Sequence, residues 1–150
     1  MPDGAVAVDV GCGEGRHAMA LADRFGFAVR GIDPVPRHIE AATAAVAGRA
    51  WPRGVAPVFE LGRAEQIPVP SGAADLIWCR DVLVHVDLTA AFAEFRRVLR
   101  PGGLVLAYQM FGTDRLEPRE GRWLCDKLGI VPASADRASA EAATCGRSIP

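Results

Sequence analysis

A glycine-rich loop near the start of the chain carries the clearest potential for chemistry. Residues 11–15 read Gly-Cys-Gly-Glu-Gly, and they follow an apolar run and precede a helical pattern. Glycines at such a bend permit a tight turn and let a ligand lie against bare backbone. Asp9 and Glu14 flank the loop, and their carboxylates would attract an ammonium or sulfonium group and repel a diphosphate. The loop therefore favours a positively charged ligand.

The glycine spacing also bears on a competing class, the nucleotide-dependent oxidoreductases. A dinucleotide site needs the spacing G-x-G-x-x-G and an uncrowded helix start for the pyrophosphate. Here the third glycine, Gly15, comes one residue early, and Arg16 occupies the slot that such a site keeps small. The spacing therefore argues against a nicotinamide cofactor.

A second acid, Asp33, closes the next apolar run, 22 residues after Gly11. An acid at the end of a second strand can accept two hydrogen bonds from ribose hydroxyls. Pro34 follows it and offers a flat surface for an adenine ring. The alternative is that Asp33 is a turn or cap residue ahead of that proline, since aspartate is common in turns.

Short apolar runs alternate with helical patterns, which predicts the elements that position these residues. Strands that alternate with helices form βαβ units. We therefore expect an α/β fold with a Rossmann-like, mostly parallel sheet, helices on both faces and no final antiparallel hairpin. Ligands bind such sheets at the carboxyl ends of the strands, where the glycine loop and Asp33 fall. Strands are predicted at residues 5–10, 27–32, 55–61, 74–79 and 104–108, and helices at 15–25, 36–48, 88–99 and 117–128.

The pattern D-x-G-C-G-x-G at residues 9–15 resembles the first motif of the class I methyltransferases that use S-adenosylmethionine (SAM), of the small-molecule type. The resemblance implies that the backbone of Gly11, Cys12 and Gly13 lies against the methionine part of SAM, with Gly15 in the same loop. It also implies that Asp9 attracts the amino group of SAM, directly or through water. Asp33 would bind the ribose and Pro34 the adenine.

Residues 62–68 are similar to the segment with which this family contacts adenine. The family often has an aspartate between the glycine and the alanine, where this chain has Arg63. The contact to the adenine amino group is therefore left to Glu65 or to a backbone carbonyl, while the N–H groups of Ala64 and Glu65 meet the ring. The alternative is a solvated loop.

Residues 75–86 resemble the family's fourth-strand motif and the segment after it. The resemblance puts Cys79 and Arg80 near the sulfonium group. His85 is the candidate general base for an acceptor that must lose a proton, with Asp81 second, because a neutral imidazole can take a proton. The alternative is that His85 packs at a helix start and bonds to backbone.

The resemblance implies a SAM-dependent methyltransferase that acts on an O, N or C atom of a small molecule. The alternative is a catalytically degenerate SAM-binding subunit or a truncated fragment. The resemblance covers residues 4 to about 110. Full-sized members of the family have helices before the first strand and a hairpin after the fifth. Residues 104–109 would then form an exposed apolar edge, which invites pairing with a second copy or another chain. We expect low stability alone, or association through this edge.

We expect residues 1–132 to form the SAM-binding core and residues 133–150 an Ala/Ser-rich, weakly ordered tail. The spacing of Trp123, Leu124 and Leu128 predicts a helical stripe that faces the core. His17 and His38 lie on amphipathic helical patterns, and we predict that both are solvated.

Composition sets broad limits on the partners and the location of the chain. The formal charge of the 150 residues is −1, so nothing predicts binding to nucleic acid or to an anionic membrane. No apolar run reaches the roughly 18 residues of a membrane span, and the first residues do not resemble a secretory signal, so we expect a cytoplasmic protein. The spacings of Cys12, Cys79, Cys125 and Cys145 predict neither a metal site nor disulfides.

Overall fold

A computed structural model describes residues 4–113 and 115–144 of the chain. In these residues, five strands form one parallel sheet, which confirms the predicted α/β fold. The strands are β1 (Val6–Val10), β2 (Ala28–Asp33), β3 (Val58–Leu61), β4 (Ala74–Arg80) and β5 (Leu99–Tyr108). Their order in the sheet is β3-β2-β1-β4-β5. Strands are added on one side of β1 up to β3 and on its other side from β4 onward. The topological switch point of the sheet therefore lies between β1 and β4, beside the glycine loop.

Helices cover both faces of this sheet. On one face, Ala18, Leu21 and Ala42 of the first two helices pack in a core cluster with Phe59. On the other face, a larger cluster contains the third and fifth helices. The helices are α1 (Arg16–Phe25), α2 (Pro36–Val46), α3 (Leu88–Val98), α4 (Pro118–Leu128) and α5 (Arg137–Thr144), with short 3₁₀ turns at Leu83–His85 and Pro132–Ala135.

The fifth strand begins earlier than the apolar run predicts. Ala74 pairs with Leu99, and the ladder then shifts, so that Leu76 pairs with Leu104. The residues between form a bulge, which is where the Pro-Gly-Gly sequence falls. From Leu104 onward the pairing follows the predicted strand to Tyr108.

The helix predicted at residues 117–128 is present as α4, but the prediction that its apolar stripe faces the core is wrong. Trp123 is 59% exposed and Leu128 is 54% exposed, and no residue of this helix is buried. At 3.6 residues per turn, positions 123 and 128 lie about 140° apart, so they cannot share one narrow stripe. The helix is instead stabilised locally by a capping box between Glu117 and Glu120.

Residues 137–144 of the predicted tail form α5, and Ala140 and Ala143 join the core. Residues 145–150, with Cys145, lie outside the described residues. Across the described parts of the chain, none of the helices has the length and apolar character that a membrane crossing requires.

Candidate functional site

A cleft of about 510 Å³ opens at the carboxyl ends of the central strands. It lies where the switch point of the sheet predicts a ligand site. Its walls come from the glycine loop, the end of β2, the segment after β3 and the segment after β4. The predicted site residues that line it are Gly11, Gly13, Asp33, Pro34, Ala64, Glu65, Arg80, Asp81 and His85.

The glycine loop is tied to the end of the second strand. The N–H groups of Gly11 and Cys12 both donate to the Ile32 carbonyl, at 2.8 and 2.9 Å. Gly11 has φ +71°, and a Cβ there would lie 2.1 Å from Cγ2 of Val82. Glycine is therefore required for both conformation and space, and the loop stays close to the segment that follows β4.

Three predicted site residues do not line the cleft, namely Cys12 and Gly15 of the loop and Cys79 of β4. Gly15 is the N-cap of α1, with φ +80°, and a Cβ there would lie 2.6 Å from Cζ of Phe59. Cys12 is buried, and burial raises the pKa of its thiol to about 12. Cys79, at the end of β4, is also buried, with its pKa raised to about 12 by the same cause. Gly15, Cys12 and Cys79 therefore lie outside the lining of the cleft, and Cys12 borders a neighbouring hollow with Glu14.

Asp9 is buried behind the loop, with 2% of its surface exposed. Among the described residues, its Oδ2 atom has no hydrogen-bond partner. Burial raises the pKa of Asp9 to about 7; the Ala18 N–H group opposes the rise and the nearby Asp33 carboxylate adds to it. An unpaired buried carboxylate is unfavourable until a cation approaches it, so this position favours an ammonium group.

Asp33 is held in place by backbone donors. Its Oδ2 accepts from the Gly13 N–H at 2.9 Å, and its Oδ1 accepts from the Val35 N–H at 2.9 Å. The side chain is buried but borders the cleft. A carboxylate offers about four acceptor positions, so capacity remains for a hydroxyl group of a ligand.

His38 is a site residue that the sequence prediction missed. Its Nδ1 lies 3.0 Å from Oδ1 of Asp33, and the half-buried ring lines the cleft. The prediction that His38 is solvated is therefore wrong, as it is for His17, which packs against Trp78. The available signal was position: His38 is the third residue of α2, and the first turn faces the strand end that precedes it.

The segment after β3 presents a second carboxylate oxygen that lacks a hydrogen bond, although it forms a long ion pair. Oε2 of Glu65 is buried without a hydrogen-bond partner in the described residues, and Nε of Arg63 lies 3.9 Å away, beyond hydrogen-bond distance. Ala64 beside it is buried. This oxygen is an acceptor for a donor group that enters the cleft.

On the opposite wall, His85 is oriented by backbone. Its Nδ1 lies 3.0 Å from the Gly129 carbonyl, which can only accept. Nδ1 must therefore carry the hydrogen of that bond, and Nε2 of the neutral ring is left as the proton acceptor. The sequence left two alternatives for His85, a side chain in the acceptor pocket or one bonded to backbone. The structure shows both features, since the ring lines the cleft and also bonds to the Gly129 carbonyl.

Asp81 follows β4 in a strained conformation. Its φ is +59°, a value rarely adopted by residues with a side chain. Its N–H donates to the Tyr108 carbonyl at 3.1 Å, and its Oδ2 pairs with Nε of Arg80 at 3.1 Å. The geometry turns the chain away from the sheet, and both side chains border the cleft.

Comparison with known proteins identifies the family. A family model described as "Methyltransferase domain" matches residues 8–107, which is more than half of the chain. The match contains the glycine loop, Asp33, residues 62–68 and the fourth strand with its following segment. The chain therefore belongs to this methyltransferase family.

Two curated relatives illustrate the range of similarity. The chain is 34% identical over 107 residues to the 2-methyl-6-phytyl-1,4-hydroquinone methyltransferase of Synechocystis, covering 71% of this chain and 32% of that protein. It is 31% identical over 130 residues to the probable chloroplastic tocopherol O-methyltransferase of Oryza sativa, covering 86% and 35%. The chain thus spans about a third of the length of these relatives.

A solved structure agrees on the fold. The phosphoethanolamine N-methyltransferase 2 of Haemonchus contortus, in complex with SAM, superposes with a TM-score of 0.81 at 22% identity. The superposition covers 97% of this chain and 33% of that one. At this identity the likeness establishes the shared architecture.

Proposed function

We propose that the chain binds SAM in the cleft and transfers the methyl group to an O, N or C atom of a small-molecule acceptor. The observation that carries the proposal is the buried, unpaired Oδ2 of Asp9 behind the glycine loop. Such an atom suits a ligand with a positively charged amino group and opposes a diphosphate. Membership of the methyltransferase family points to the same ligand.

The residues present fit SAM from one end to the other. Asp9 would attract the amino group while the backbone of Gly11, Cys12 and Gly13 lies along the methionine part. Asp33 would accept from the ribose hydroxyls, with Pro34 against the adenine. Oε2 of Glu65, which has no hydrogen-bond partner among the described residues, would accept from the adenine amino group. Glu65 would thus take the role of the aspartate that the family often has at the position of Arg63.

When bound, SAM supplies a reactive methyl group on a positively charged sulfur. The contribution of this chain is to position the two reactants and to exclude water. Arg80 would border the sulfur, whereas the Cys79 side chain is buried outside the cleft lining, where its raised pKa keeps the thiol protonated. Nε2 of His85 would take a proton from the acceptor, with Asp81 as the second candidate.

The acceptor class rests on the relatives. The two named relatives methylate, by their names, a phytylated hydroquinone and a tocopherol. A small organic acceptor follows for this chain, and its near-neutral charge gives no support to nucleic acid as a substrate. Cys12, Cys79 and Cys125 are free thiols, which supports a reducing, cytoplasmic location.

We also propose that two copies of the chain associate through β5. This strand is at the edge of the sheet, and Leu104, Leu106 and Tyr108 are each about half exposed. A twofold axis can bring the same edge of a second copy alongside in the antiparallel sense, which satisfies the free backbone groups of both. The ten-residue length of β5 favours it over β3, which has four residues.

A second candidate function is a SAM-binding module without turnover. The chain covers 32–35% of the two named relatives, so their catalytic activity does not carry over to it directly. Cofactor binding and turnover must therefore be measured separately.

Binding is tested by calorimetry of the purified chain with SAM, S-adenosylhomocysteine and NAD. We expect binding of the two sulfur ligands and none of NAD. Asp33→Asn should weaken both sulfur ligands by about tenfold or more, because a charge-assisted hydrogen bond is lost. Asp126→Asn, on the exposed side of α4, is the matched control and should bind normally. Binding of NAD but not of SAM would refute the assignment.

Turnover is tested by transfer of labelled methyl groups to a panel of phenols, quinols and amines. His85→Gln should lower kcat by about 10²-fold for acceptors that lose a proton, while the Kd for SAM changes little. Normal SAM affinity with no transfer across the panel would favour the module. An unchanged kcat in His85→Gln would remove His85 as the base.

A further inference from the structure

Residues 62–70 form one wall segment, of which residues 62–65 line the cleft. Gly62 and Arg63 line the cleft and also line a second hollow of about 690 Å³ on the other side of the segment. Glu94 and Arg97 of α3 border only the second hollow, behind the wall. Ala64, Ile67 and Val69 pack in the core, whereas the backbone between them borders open space and needs hydrogen bonds to fix its position.

The segment itself contributes few such bonds. The backbones of Arg63 and Gln66 exchange two hydrogen bonds, at 3.3 and 3.1 Å, which close a tight turn. The Gly62 N–H donates to the Asp33 carbonyl at 3.2 Å. A further bond, from the Val69 N–H to the Ile67 carbonyl at 2.7 Å, lies within the segment, and the Ile67 and Val69 side chains are buried in the core. None of these backbone bonds joins the far end of the segment to another element.

The hydrogen bonds that fix the backbone at the far end come from α3. Arg97 donates from Nη2 to the Ile67 carbonyl and from Nη1 to the Val69 carbonyl, each at 2.9 Å. Oε2 of Glu94 accepts from the Ile67 N–H at 2.9 Å. Both backbone groups of Ile67 are therefore bound by side chains of a single helix.

The two side chains also hold each other. Nε and Nη2 of Arg97 donate to the two carboxylate oxygens of Glu94, each at 2.8 Å. This fork-to-fork pair has a defined geometry, which a lysine at position 97 cannot reproduce. The helix beneath is fixed by the buried Phe95 and Val98. The pair thus transmits a rigid position from the core to the wall.

The strand order indicates which part of a bound ligand would contact this wall. The glycine loop follows β1, Asp33 ends β2, and residues 62–66 follow β3, the neighbour of β2. A ligand with its amino group at β1 and its ribose at β2 directs its base toward β3. On the proposed function, the base of SAM therefore lies against the wall that α3 holds.

We infer that Glu94 and Arg97 are positioning residues that make the cleft selective for adenine over other purines. They do so by fixing the backbone at Ile67, and with it Ala64 and Glu65. Neither side chain lines the cleft, so both act through the wall. The inference rests on the proposed function, because it assigns selectivity within the SAM site.

The test measures Kd for S-adenosylhomocysteine and for S-inosylhomocysteine, in which a carbonyl oxygen replaces the adenine amino group. The ratio of the two values reports selectivity and is insensitive to a general loss of stability. Arg97→Gln should weaken the adenosyl ligand by about tenfold and bring the ratio toward one. Glu94→Gln should likewise weaken the adenosyl ligand and bring the ratio toward one. Arg97→Lys should not retain the wild-type ratio, although it keeps the charge.

Arg96→Gln is the matched control, since Arg96 is on the same helix but donates to the Ala143 carbonyl of α5. It should leave both Kd values unchanged. A wild-type ratio in Arg97→Gln, Arg97→Lys and Glu94→Gln, with lower melting temperatures, would overturn the inference and leave the proposed function standing. Failure of the wild-type chain to bind the adenosyl ligand would overturn both.

Discussion

At the scale of single residues, Asp9 links ligand binding to instability. Its carboxylate is buried with one oxygen unpaired, and its pKa of about 7 lies well above the ordinary 3.8. The folded protein therefore binds a proton at Asp9 more tightly than the unfolded chain does. By linkage, the contribution of Asp9 to the free energy of unfolding falls as pH rises from about 4 to about 7, and stays low above that.

Asp9→Asn should therefore stabilise the ligand-free chain near pH 8, by roughly 2–4 kcal/mol, because no charge has to be buried. The gain should disappear below about pH 3, where Asp9 is protonated in both the folded and the unfolded state. Urea unfolding at the two pH values measures this difference, with Asp126→Asn as control. SAM affinity should fall in the same variant. A loss of stability near pH 8 would show that the Ala18 bond outweighs the burial of charge.

At the scale of elements, two glycines of the loop serve different purposes, one for ligand binding and the other for packing of the core. Gly13 and Gly15 both have positive φ, so both are strained by a side chain. A Cβ on Gly13 would meet nothing within 4 Å, whereas one on Gly15 would meet Phe59 and Ala42. Gly13 lines the cleft and Gly15 does not, so the two positions divide ligand binding from packing.

The two alanine variants should accordingly show opposite patterns. Gly15→Ala should lower the free energy of unfolding by about 2–4 kcal/mol, the sum of backbone strain and overpacking. Gly13→Ala should lower it by only about 1–2 kcal/mol, the cost of backbone strain alone, but should weaken SAM more. Thermal melts and calorimetry of both variants check the prediction. Equal losses of stability would mean that Phe59 moves aside freely.

At the scale of the whole molecule, the sheet has two edges of different character. β3 is short, and β5 is long and carries half-exposed Leu104 and Leu106. Long apolar edges pair readily with other strands, whereas short ones do so poorly. The proposed association therefore depends on β5 alone.

Leu106→Lys should shift the chain from dimer toward monomer in light scattering coupled to size exclusion, because a charge at the edge opposes pairing. Val58→Lys places the same charge on β3, where valine is 56% exposed, and should leave the mass unchanged. A wild-type chain that stays monomeric at high concentration would contradict the association.

Much of the architecture could be predicted because its signals are local. Alternating apolar runs and helical patterns determine strands and helices, and the predicted parallel sheet is confirmed. The D-x-G-C-G-x-G pattern predicted the methyltransferase family, which residues 8–107 now establish. Local patterns carry these features because side-chain period and glycine placement act within a few residues.

The sequence by itself determined the elements, their order and the glycine loop with its flanking acids. Only the tertiary structure decided which of those residues face the cleft, that His38 joins Asp33, and that Arg97 holds a wall 28–30 positions away in the chain. The reason is physical. Burial and hydrogen-bond partners depend on how elements distant in sequence pack together, and no short window of residues contains that information.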